Sequence, residues 1–281
     1  MRQHIQGIDH VVLVVRDLDR ARATFASMGF TVTPRGFHTL GSQNHCVMFA
    51  RDYVELLFSP AEHPHPSRRY YTEFAAQGDG LAGIALQSGN AKGAYTELLW
   101  AGFKPTDPLE FSRPVELASG RADAKFRITQ TAPGSLPGGG RVFVCEHLTR
   151  DLVWRPEDQR HANGATGLAA VAIVCDDVAR TAKPYERLLA TAAKRIAEGL
   201  LVETGGAPIA FVTARSLGER LPGVQLGGRP APAMAALFVR VADREAAAAK
   251  LAAAGLKPAR MPDGSIAIGA DVAHGTAVVF G

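Results

Sequence analysis

The stretch that decides the fold is GIDHVVLVV at residues 7–15, together with RDLDRARATFASMG at residues 16–29. The first part is rich in β-branched residues and predicts a strand. Asp17 is a good helix N-cap, and helical spacing then places apolar residues on one face: Leu18, Ala21, Phe25 and Met28. Gly29 follows the cap by twelve residues and predicts a left-handed helix end.

The same construction recurs three times along the chain. The strand-like runs GLAGIALQS, GLAAVAIVC and AALFVRVA are each followed by a capping residue and a helical pattern; the caps are Asn90, Asp177 and Asp243. Gly102 and Gly255 again stand twelve residues after their caps, whereas Ala190 follows the third helix and no glycine closes it. Four units in one register predict an internal repeat.

Short strands and hairpins fill the segments between these units. In the first unit we predict a strand at 31–34 and a hairpin of 45–50 with 53–58, turned by Arg51-Asp52. In the second unit, 141–149 turned by Arg150-Asp151 into 152–154 has the equivalent pattern. The third and fourth units have matching runs at 199–203 with 209–213 and at 265–270 with 276–280. Each unit therefore reads as βαβββ.

One βαβββ unit leaves a sheet face uncovered, so the units should pair. We predict an α+β fold, in which four βαβββ modules pair into two domains with cupped, mostly antiparallel sheets and helices outside. The polar segment RPEDQRHANGATG at 155–167 contains an Asn163-Gly164 turn signal and divides the units two and two. The predicted domains are 1–158 and 159–281.

The composition restricts the class of protein. A hydrophobic content of 47% and a charged content of 21% are typical of a soluble globular protein, and no apolar run reaches the length of a membrane span. The net charge of +4 does not cluster beyond Arg68-Arg69, and aromatic residues make up 7%, which argues against a nucleic-acid partner. The mild positive charge favours a small anionic ligand. Three scattered cysteines predict reduced thiols in the cytoplasm.

Paired βαβββ units with the opening strand GIDHVVLVV and a hairpin ending in YVELL resemble the vicinal-oxygen-chelate superfamily. That superfamily includes glyoxalase I, methylmalonyl-CoA epimerase, extradiol dioxygenases, fosfomycin-resistance enzymes and bleomycin-binding proteins. The segments PRGFHTLGSQNH and VFVCEHLTRDLVWRPE are similar to its glyoxalase-like domain branch. The resemblance is closest over residues 7–60.

The resemblance implies metal ligands in the middle of a unit's first strand and in its last strand. His10, seven residues before its cap, and Glu55, three after Asp52, occupy these places in the first unit. The same offsets reach residues that cannot ligate in the other units: Gly83, Ala170, Ala236, Trp154, Val278 and, approximately, Ala210. The C-terminal half therefore resembles a structural half, or one that forms a homodimer.

An imidazole and a carboxylate suit Zn, Fe, Mn or Ni, but a stable site wants at least three protein ligands. We predict His147 as the third ligand, with His45 and His38 as alternatives. Glu55 would double as the catalytic base. Two plainer interpretations remain open: His10 as a hydrogen-bonded core residue, and Glu55 in a buried salt bridge to an arginine.

The predicted substrate-binding residues are His38, Asn44, Tyr53 and Trp154. His38 and Asn44 lie in GFHTLGSQN at 36–44, which is either a shaped loop or a pocket rim. Tyr53 shares the face of Glu55 at period two. Trp154, at the place that the second unit's carboxylate would take, would form an aromatic wall.

Three functions are compatible with this pattern. The first is a metal-dependent lyase or isomerase in which the ion acts as Lewis acid on an oxygen-bearing small molecule. The second is a metal-free binding protein of the bleomycin-resistance type, favoured by Gly83 and Trp154 at ligand places. The third, an extradiol dioxygenase, is disfavoured because the resemblance places its iron ligands in the C-terminal pair, where Ala170 and Ala236 stand.

Overall fold

The computed structural model describes residues 2–62, 65–117, 120–132 and 134–281. The first two βαβββ modules contain β1 (Ile8–Val14), α1 (Leu18–Ser27), β2 (Gly36–Phe37), β3 (Gln43–Met48), β4 (Tyr53–Phe58), then β5 (Gly80–Ser88), α3 (Ala91–Trp100), β6 (Leu109–Leu117), β7 (Gly120–Gln130) and β8 (Arg141–His147). Between them lie a 3₁₀ turn (Pro66–Arg68) and α2 (Arg69–Ala76).

The last two modules repeat this order. They contain β9 (Ala165–Val174), α4 (Val178–Leu189), β10 (Lys194–Ile196), β11 (Gly199–Val202), β12 (Ile209–Val212), then β13 (Ala233–Val241), α6 (Arg244–Ala253), β14 (Ala259–Arg260), β15 (Ile266–Ile268) and β16 (Ala277–Phe280). A helix again separates the two modules, α5 (Ala214–Arg220).

The modules pair two and two into sheets of eight strands. The strand order is β2-β3-β4-β1-β5-β8-β7-β6 in the N-terminal sheet and β10-β11-β12-β9-β13-β16-β15-β14 in the C-terminal sheet. The β1–β4 and β5–β8 pairs are parallel, and the other neighbours in the N-terminal sheet are antiparallel. The predicted α+β fold of four βαβββ modules in two mostly antiparallel sheets is confirmed.

The four equivalent helices begin as predicted. The side chains of Asp17, Asn90, Asp177 and Asp243 each accept a backbone N–H from the first turn. Gly29, Gly102 and Gly255 take φ between +75° and +89°, which only glycine adopts without strain. Ala190, where the third copy lacks a glycine, is itself left-handed with φ +50°.

The hairpin predicted at 141–154 is wrong. The long β6–β7 hairpin supplies β8 with its antiparallel neighbour, and the chain then leaves the sheet in a 3₁₀ turn at Arg150–Leu152. Trp154 is therefore not a strand residue. The short strand predicted at 31–34 is also displaced, because the pairing edge is Gly36–Phe37, opposite Asn44 and Gln43.

The outer faces of both sheets and four helices share one hydrophobic core. Phe30 of the N-terminal half stacks on Phe280 of the C-terminal half, with ring centroids 5.7 Å apart. The segment between the sheets is part of this packing, since Asn163 is buried and its amide donates to the Met28 carbonyl oxygen. The domain boundary near residue 158 stays a prediction. No described helix is both long and apolar enough to cross a membrane.

The inner face of each sheet holds a separate cluster of side chains. In the N-terminal half, the 3₁₀ turn at Pro66–Arg68 and α2 lie against this face and bury Arg68 and Tyr71. In the C-terminal half, α5 takes the corresponding place and buries Leu217. The helical segment against the inner face therefore contributes polar side chains in the N-terminal half and an apolar one in the C-terminal half.

Candidate functional site

A β-bulge in β1 turns two successive side chains toward the inner face. Ile8 pairs with Leu86 and His10 with Ala85, so Asp9 is an extra residue on β1. Successive strand residues ordinarily face opposite ways, but a bulge re-aims the side chain at the insertion. Asp9 and His10 therefore meet, and the Asp9 carboxylate lies 2.6 Å from His10 Nδ1.

The same bulge occurs in all four modules. The extra residues in the other three are Ala82, Ala169 and Ala235, each directly before the residue that corresponds to His10. The pairs at this position are thus Asp9-His10, Ala82-Gly83, Ala169-Ala170 and Ala235-Ala236. The bulge is common to all four modules, but only in the first module does it carry polar side chains.

His10 is held in one tautomer. A carboxylate can only accept, so the His10 ring donates from Nδ1 to Asp9, and in the neutral ring Nε2 then carries the free lone pair. The ring also stacks on Tyr53 with centroids 4.3 Å apart. Nε2 faces Glu55, whose Oε2 lies 3.8 Å away. His10 therefore directs Nε2, the nitrogen that could bind a metal ion, toward the Glu55 carboxylate.

Glu55 lies on β4, beside Val12 of β1 and Cys46 of β3. Its Oε1 accepts a hydrogen bond of 2.7 Å from the Asn44 amide. Within the described chain no arginine lies within ion-pair distance of Glu55, so the salt-bridge interpretation is wrong. The carboxylate is oriented by Asn44 and leaves Oε2 toward His10.

His38 completes this side of the cavity. Its Nδ1 lies 2.9 Å from the Ser42 hydroxyl, and its Nε2 lies 3.8 Å from Glu55 Oε1. Burial, together with the nearby charges of Arg68 and Arg113, holds the pKa of His38 well below its ordinary value, so the ring is neutral. His38 and Asn44 lie inside the cavity and not on its rim, since both are buried.

Asp9 also links His10 to His147. The same oxygen, Oδ1, lies 2.9 Å from His147 Nε2, whereas Asp9 Oδ2 and His147 Nδ1 are buried without a partner. Burial alone would raise the pKa of Asp9, but the attraction of His147 and hydrogen bonds from both imidazoles hold it below its ordinary value. Asp9, His10 and His147 offer ligand atoms within 4.8 Å of one another and could hold a metal ion.

The structure does not bring the predicted trio of His10, Glu55 and His147 together. Across the described residues, the one group of three ligands within 4.8 Å is that of Asp9, and it omits Glu55. His147 approaches the Nδ1 edge of His10 through Asp9, while Glu55 faces the Nε2 edge. Trp154 packs edge-on against His147 at 4.8 Å and Tyr53 at 5.5 Å, and so lies behind these rings. It is not among the residues of the cavity wall.

His45 is wrong as an alternative third ligand. It pairs with Leu56 on the outer face of the sheet, and its Nδ1 donates to the Thr33 carbonyl oxygen at 2.7 Å. Because Asn44 and His45 are neighbours on β3, they face opposite ways.

Strand pairing corrects which residues correspond to Glu55. Glu55 pairs with Val12, five residues before its cap, and the same offset gives Phe143, Ala210 and Val279 in the later modules. The predicted counterparts Trp154 and Val278 are therefore wrong, whereas Ala210 is right. At Gly83, a Cβ would lie 3.4 Å from the Tyr71 hydroxyl, which is buried without a partner.

These side chains line one small cavity. Five predicted site residues share it: His10, His38, Asn44, Tyr53 and Glu55. The space that a water-sized sphere can occupy is about 20 Å³, enough for one water molecule or ion. A larger pocket of about 210 Å³ adjoins it and shares Arg113 and Val153 with its wall. The inner cavity therefore suits an ion or one small chemical group.

Sequence reasoning missed Asp9, Arg68, Tyr71 and Arg113. Asp9 carried a signal, since a carboxylate beside a histidine in an apolar strand needs a partner. Arg113 carried one too, because Phe111, Arg113 and Val115 alternate on the inward face of β6. Arg68 and Tyr71 carried none, because their orientation depends on how α2 packs.

Three comparisons with known proteins place the chain. A family model described as "Glyoxalase-like domain" matches residues 8–189. A hypothetical protein from Staphylococcus aureus has a similar structure, with a TM-score of 0.70, 11% identity and 98% of both chains covered. No curated protein matches.

Two further structures are similar. A mutant of 4-hydroxymandelate synthase from Streptomyces coelicolor has a TM-score of 0.58 and 16% identity over 92% of this chain and 78% of its own. A xylose isomerase-like TIM barrel/4-hydroxyphenylpyruvate dioxygenase fusion protein has a TM-score of 0.56 and 12% identity over 92% and 40%. At these identities the similarity shows the fold alone. Because the family model matches more than half of the chain, the chain belongs to the glyoxalase-like domain family of the vicinal-oxygen-chelate superfamily.

Proposed function

We propose that the protein is a divalent-metal-dependent enzyme of the lyase or isomerase type, which acts on a small oxygen-bearing molecule. His10 Nε2 and Glu55 Oε2 would hold the ion. The observation that carries this proposal is the hydrogen bond between Asp9 and His10 Nδ1, which leaves His10 Nε2 facing a carboxylate oxygen 3.8 Å away. A carboxylate behind a ligating histidine is the usual arrangement at metal sites.

We assign the ion to the Glu55 side of His10, although the three ligand atoms that lie within 4.8 Å of one another are on the Asp9 side. Metal–ligand distances of about 2.0–2.2 Å put two ligand atoms roughly 3–3.5 Å apart. The contacts of Asp9 Oδ1 with His10 and His147 are 2.6 and 2.9 Å, which are hydrogen-bond distances. On the other side, Glu55 Oε2 lies 3.8 Å from His10 Nε2 and Glu55 Oε1 lies 3.8 Å from His38 Nε2, so the three side chains would have to move inward around an ion. His38 then becomes the third ligand, and His147 a support.

An ion held there would supply Lewis acidity toward a substrate oxygen. The protein's own groups orient the reaction. The Asn44 amide fixes the Glu55 carboxylate through Oε1, and the stacked Tyr53 ring fixes His10. Glu55 would accept a proton from the carbon or oxygen next to the bound atom. Two imidazoles and one carboxylate suit Zn, Fe, Mn or Ni.

Metal binding in matched variants tests the proposal. We expect protein purified without added metal to contain a divalent ion by elemental analysis. His10→Ala and Glu55→Gln should each weaken binding of added Mn²⁺ or Ni²⁺ at least tenfold in calorimetry. His45→Gln is the control, because His45 faces the other side of the same sheet. His147→Gln should weaken binding less than Glu55→Gln. The reverse order, or wild-type affinity in all variants, would contradict the assignment.

A metal-free binding protein is the second candidate. The observation in its favour is that the second module has Gly83 and Phe143 where two further ligands would stand. In that case the purified protein would lack metal, and added ions would not bind at micromolar concentrations. A dioxygenase is the third candidate, because one of the similar structures is a fusion protein with a 4-hydroxyphenylpyruvate dioxygenase part. Against it, Ala170, Ala236 and Val279 stand at the positions in the C-terminal half where metal ligands would be expected.

We also propose a reducing compartment, the cytoplasm, as its location. Cys46, Cys145 and Cys175 are free and buried, which is typical of proteins that keep their thiols reduced. A homodimer formed through the C-terminal half is a further proposal.

A further inference from the structure

Two arginines are buried in the wall of the inner cavity, and in the described part of the chain neither has a carboxylate within ion-pair distance. Arg68 is 5% exposed and Arg113 is 9% exposed, and both belong to the wall that contains Glu55. The Arg68 Nε is a buried donor without an acceptor among the described residues. Buried polar groups are normally satisfied, so such an orphan points to a missing partner.

The surroundings position both guanidinium groups and do not neutralise them. Arg68 lies over the faces of Phe111 and Tyr71, with centroid distances of 5.1 and 5.9 Å. Arg113 passes close to Gly36. A Cβ at position 36 would lie 3.0 Å from Arg113 Cδ and would collide with the Asn44 side chain. The glycine leaves room for the arginine. Burial lowers the pKa of Arg68, yet an arginine stays protonated at neutral pH.

The nearby carboxylates do not account for these charges. Glu55 shares the cavity but accepts from Asn44 and lies beyond ion-pair distance of either arginine. Asp158 lies near Arg113 in the outer pocket and is likewise unpaired with it.

We infer that Arg68 and Arg113 bind a carboxylate group of the substrate, so that the substrate is a small carboxylic acid. This rests on the proposed function only in sharing its cavity. Guanidinium groups match a planar carboxylate in bidentate geometry, and the small inner space disfavours a larger, tetrahedral phosphate. The outer pocket, which begins at Arg113, has room for the rest of the molecule.

The test measures anion binding to EDTA-treated protein. We expect benzoate and acetate to bind wild-type protein in calorimetry, and inorganic phosphate to bind more weakly. Arg68→Met and Arg113→Met should each weaken carboxylate binding at least tenfold. Arg69→Met is the matched control, since Arg69 is exposed and pairs with Glu73. Equal binding in all variants, tighter binding of phosphate, or no carboxylate binding would overturn the inference.

A melting experiment separates this role from a structural one. An unpaired buried charge destabilises the free protein, so Arg68→Met should melt at the same temperature or a few degrees higher, roughly 2–5 °C, without ligand. A fall in melting temperature would show that the arginine supports the fold instead. Titration of the same variants with Mn²⁺ keeps the two proposals apart. Retained metal binding with lost carboxylate binding supports the inference, and retained metal binding with unchanged carboxylate binding overturns it alone.

Discussion

Asp9 is the residue on which the candidate centre depends most. It is fully buried, and a buried carboxylate is costly unless it is paired. Two imidazoles pair with it through one oxygen, and this arrangement sets which nitrogen of His10 is free. A single side chain thereby determines the chemistry of a neighbour that would touch the ion.

We expect Asp9→Asn to weaken metal binding roughly 10- to 100-fold, because replacing the carboxylate behind a ligating histidine typically has that effect. Calorimetric titration of EDTA-treated protein with Mn²⁺ measures the change. Asp19→Asn is a suitable control, since Asp19 is exposed and pairs with Arg35. Unchanged affinity would remove Asp9 from the site. A loss much larger than that of Glu55→Gln would make Asp9 itself a ligand.

At the scale of elements, the repeat could be predicted from the sequence because caps and turns are local. Asp17 and Gly29 need only their own neighbours to begin and end a helix, and the copies of this pattern revealed four modules. Which side chains meet on the inner face of the sheet could not be predicted in the same way, because this depends on long-range strand pairing. The bulge at Asp9 depends on pairing with β5, and the position of Phe143 as the counterpart of Glu55, opposite Ala85, depends on the β5–β8 register.

The end of α4 offers a test of the repeat. Ala190 takes the left-handed conformation that glycine takes in the other modules. A residue with a Cβ is strained there, so Ala190→Gly should raise the free energy of unfolding by about 0.5–1 kcal/mol in urea titrations. Ala254→Gly, at a helix end with φ −85°, should lower it instead. Destabilisation by both changes would contradict the equivalence of the helix ends.

At the scale of the whole molecule, the two halves share an architecture and differ in what lines the inner face. The C-terminal inner face is filled by apolar residues such as Ala170, Ala236 and Phe238. The halves are also tied by polar contacts, because Asp52 accepts a hydrogen bond from the Leu168 backbone at 2.9 Å. We therefore expect chemistry or binding to take place within residues 7–155.

Asp52 predicts how the link between halves responds to pH. Burial raises its pKa to about 6, partly offset by the Leu168 hydrogen bond. The folded state therefore binds this proton more tightly than the unfolded state. Its stabilising effect is full below about pH 4 and is lost as the pH rises through about 6, a change of about 3 kcal/mol.

An amide at this position accepts the same hydrogen bond without ionising. We expect Asp52→Asn to match the wild type near pH 4 and to exceed its free energy of unfolding by about 1–3 kcal/mol at pH 8. Urea titrations across this range measure it, with the exposed Asp151→Asn as control. A variant less stable than the wild type at pH 8 would show that the ionised carboxylate strengthens the link.

The most direct test of the central claim is anomalous diffraction from a crystal soaked in MnCl₂. The account predicts one strong peak per chain, between His10 Nε2 and the Glu55 carboxylate, and none in the C-terminal half. It also predicts that the peak disappears in Glu55→Gln crystals. A peak between Asp9 and His147, a peak on the inner face of the C-terminal sheet, or no peak at all would contradict it.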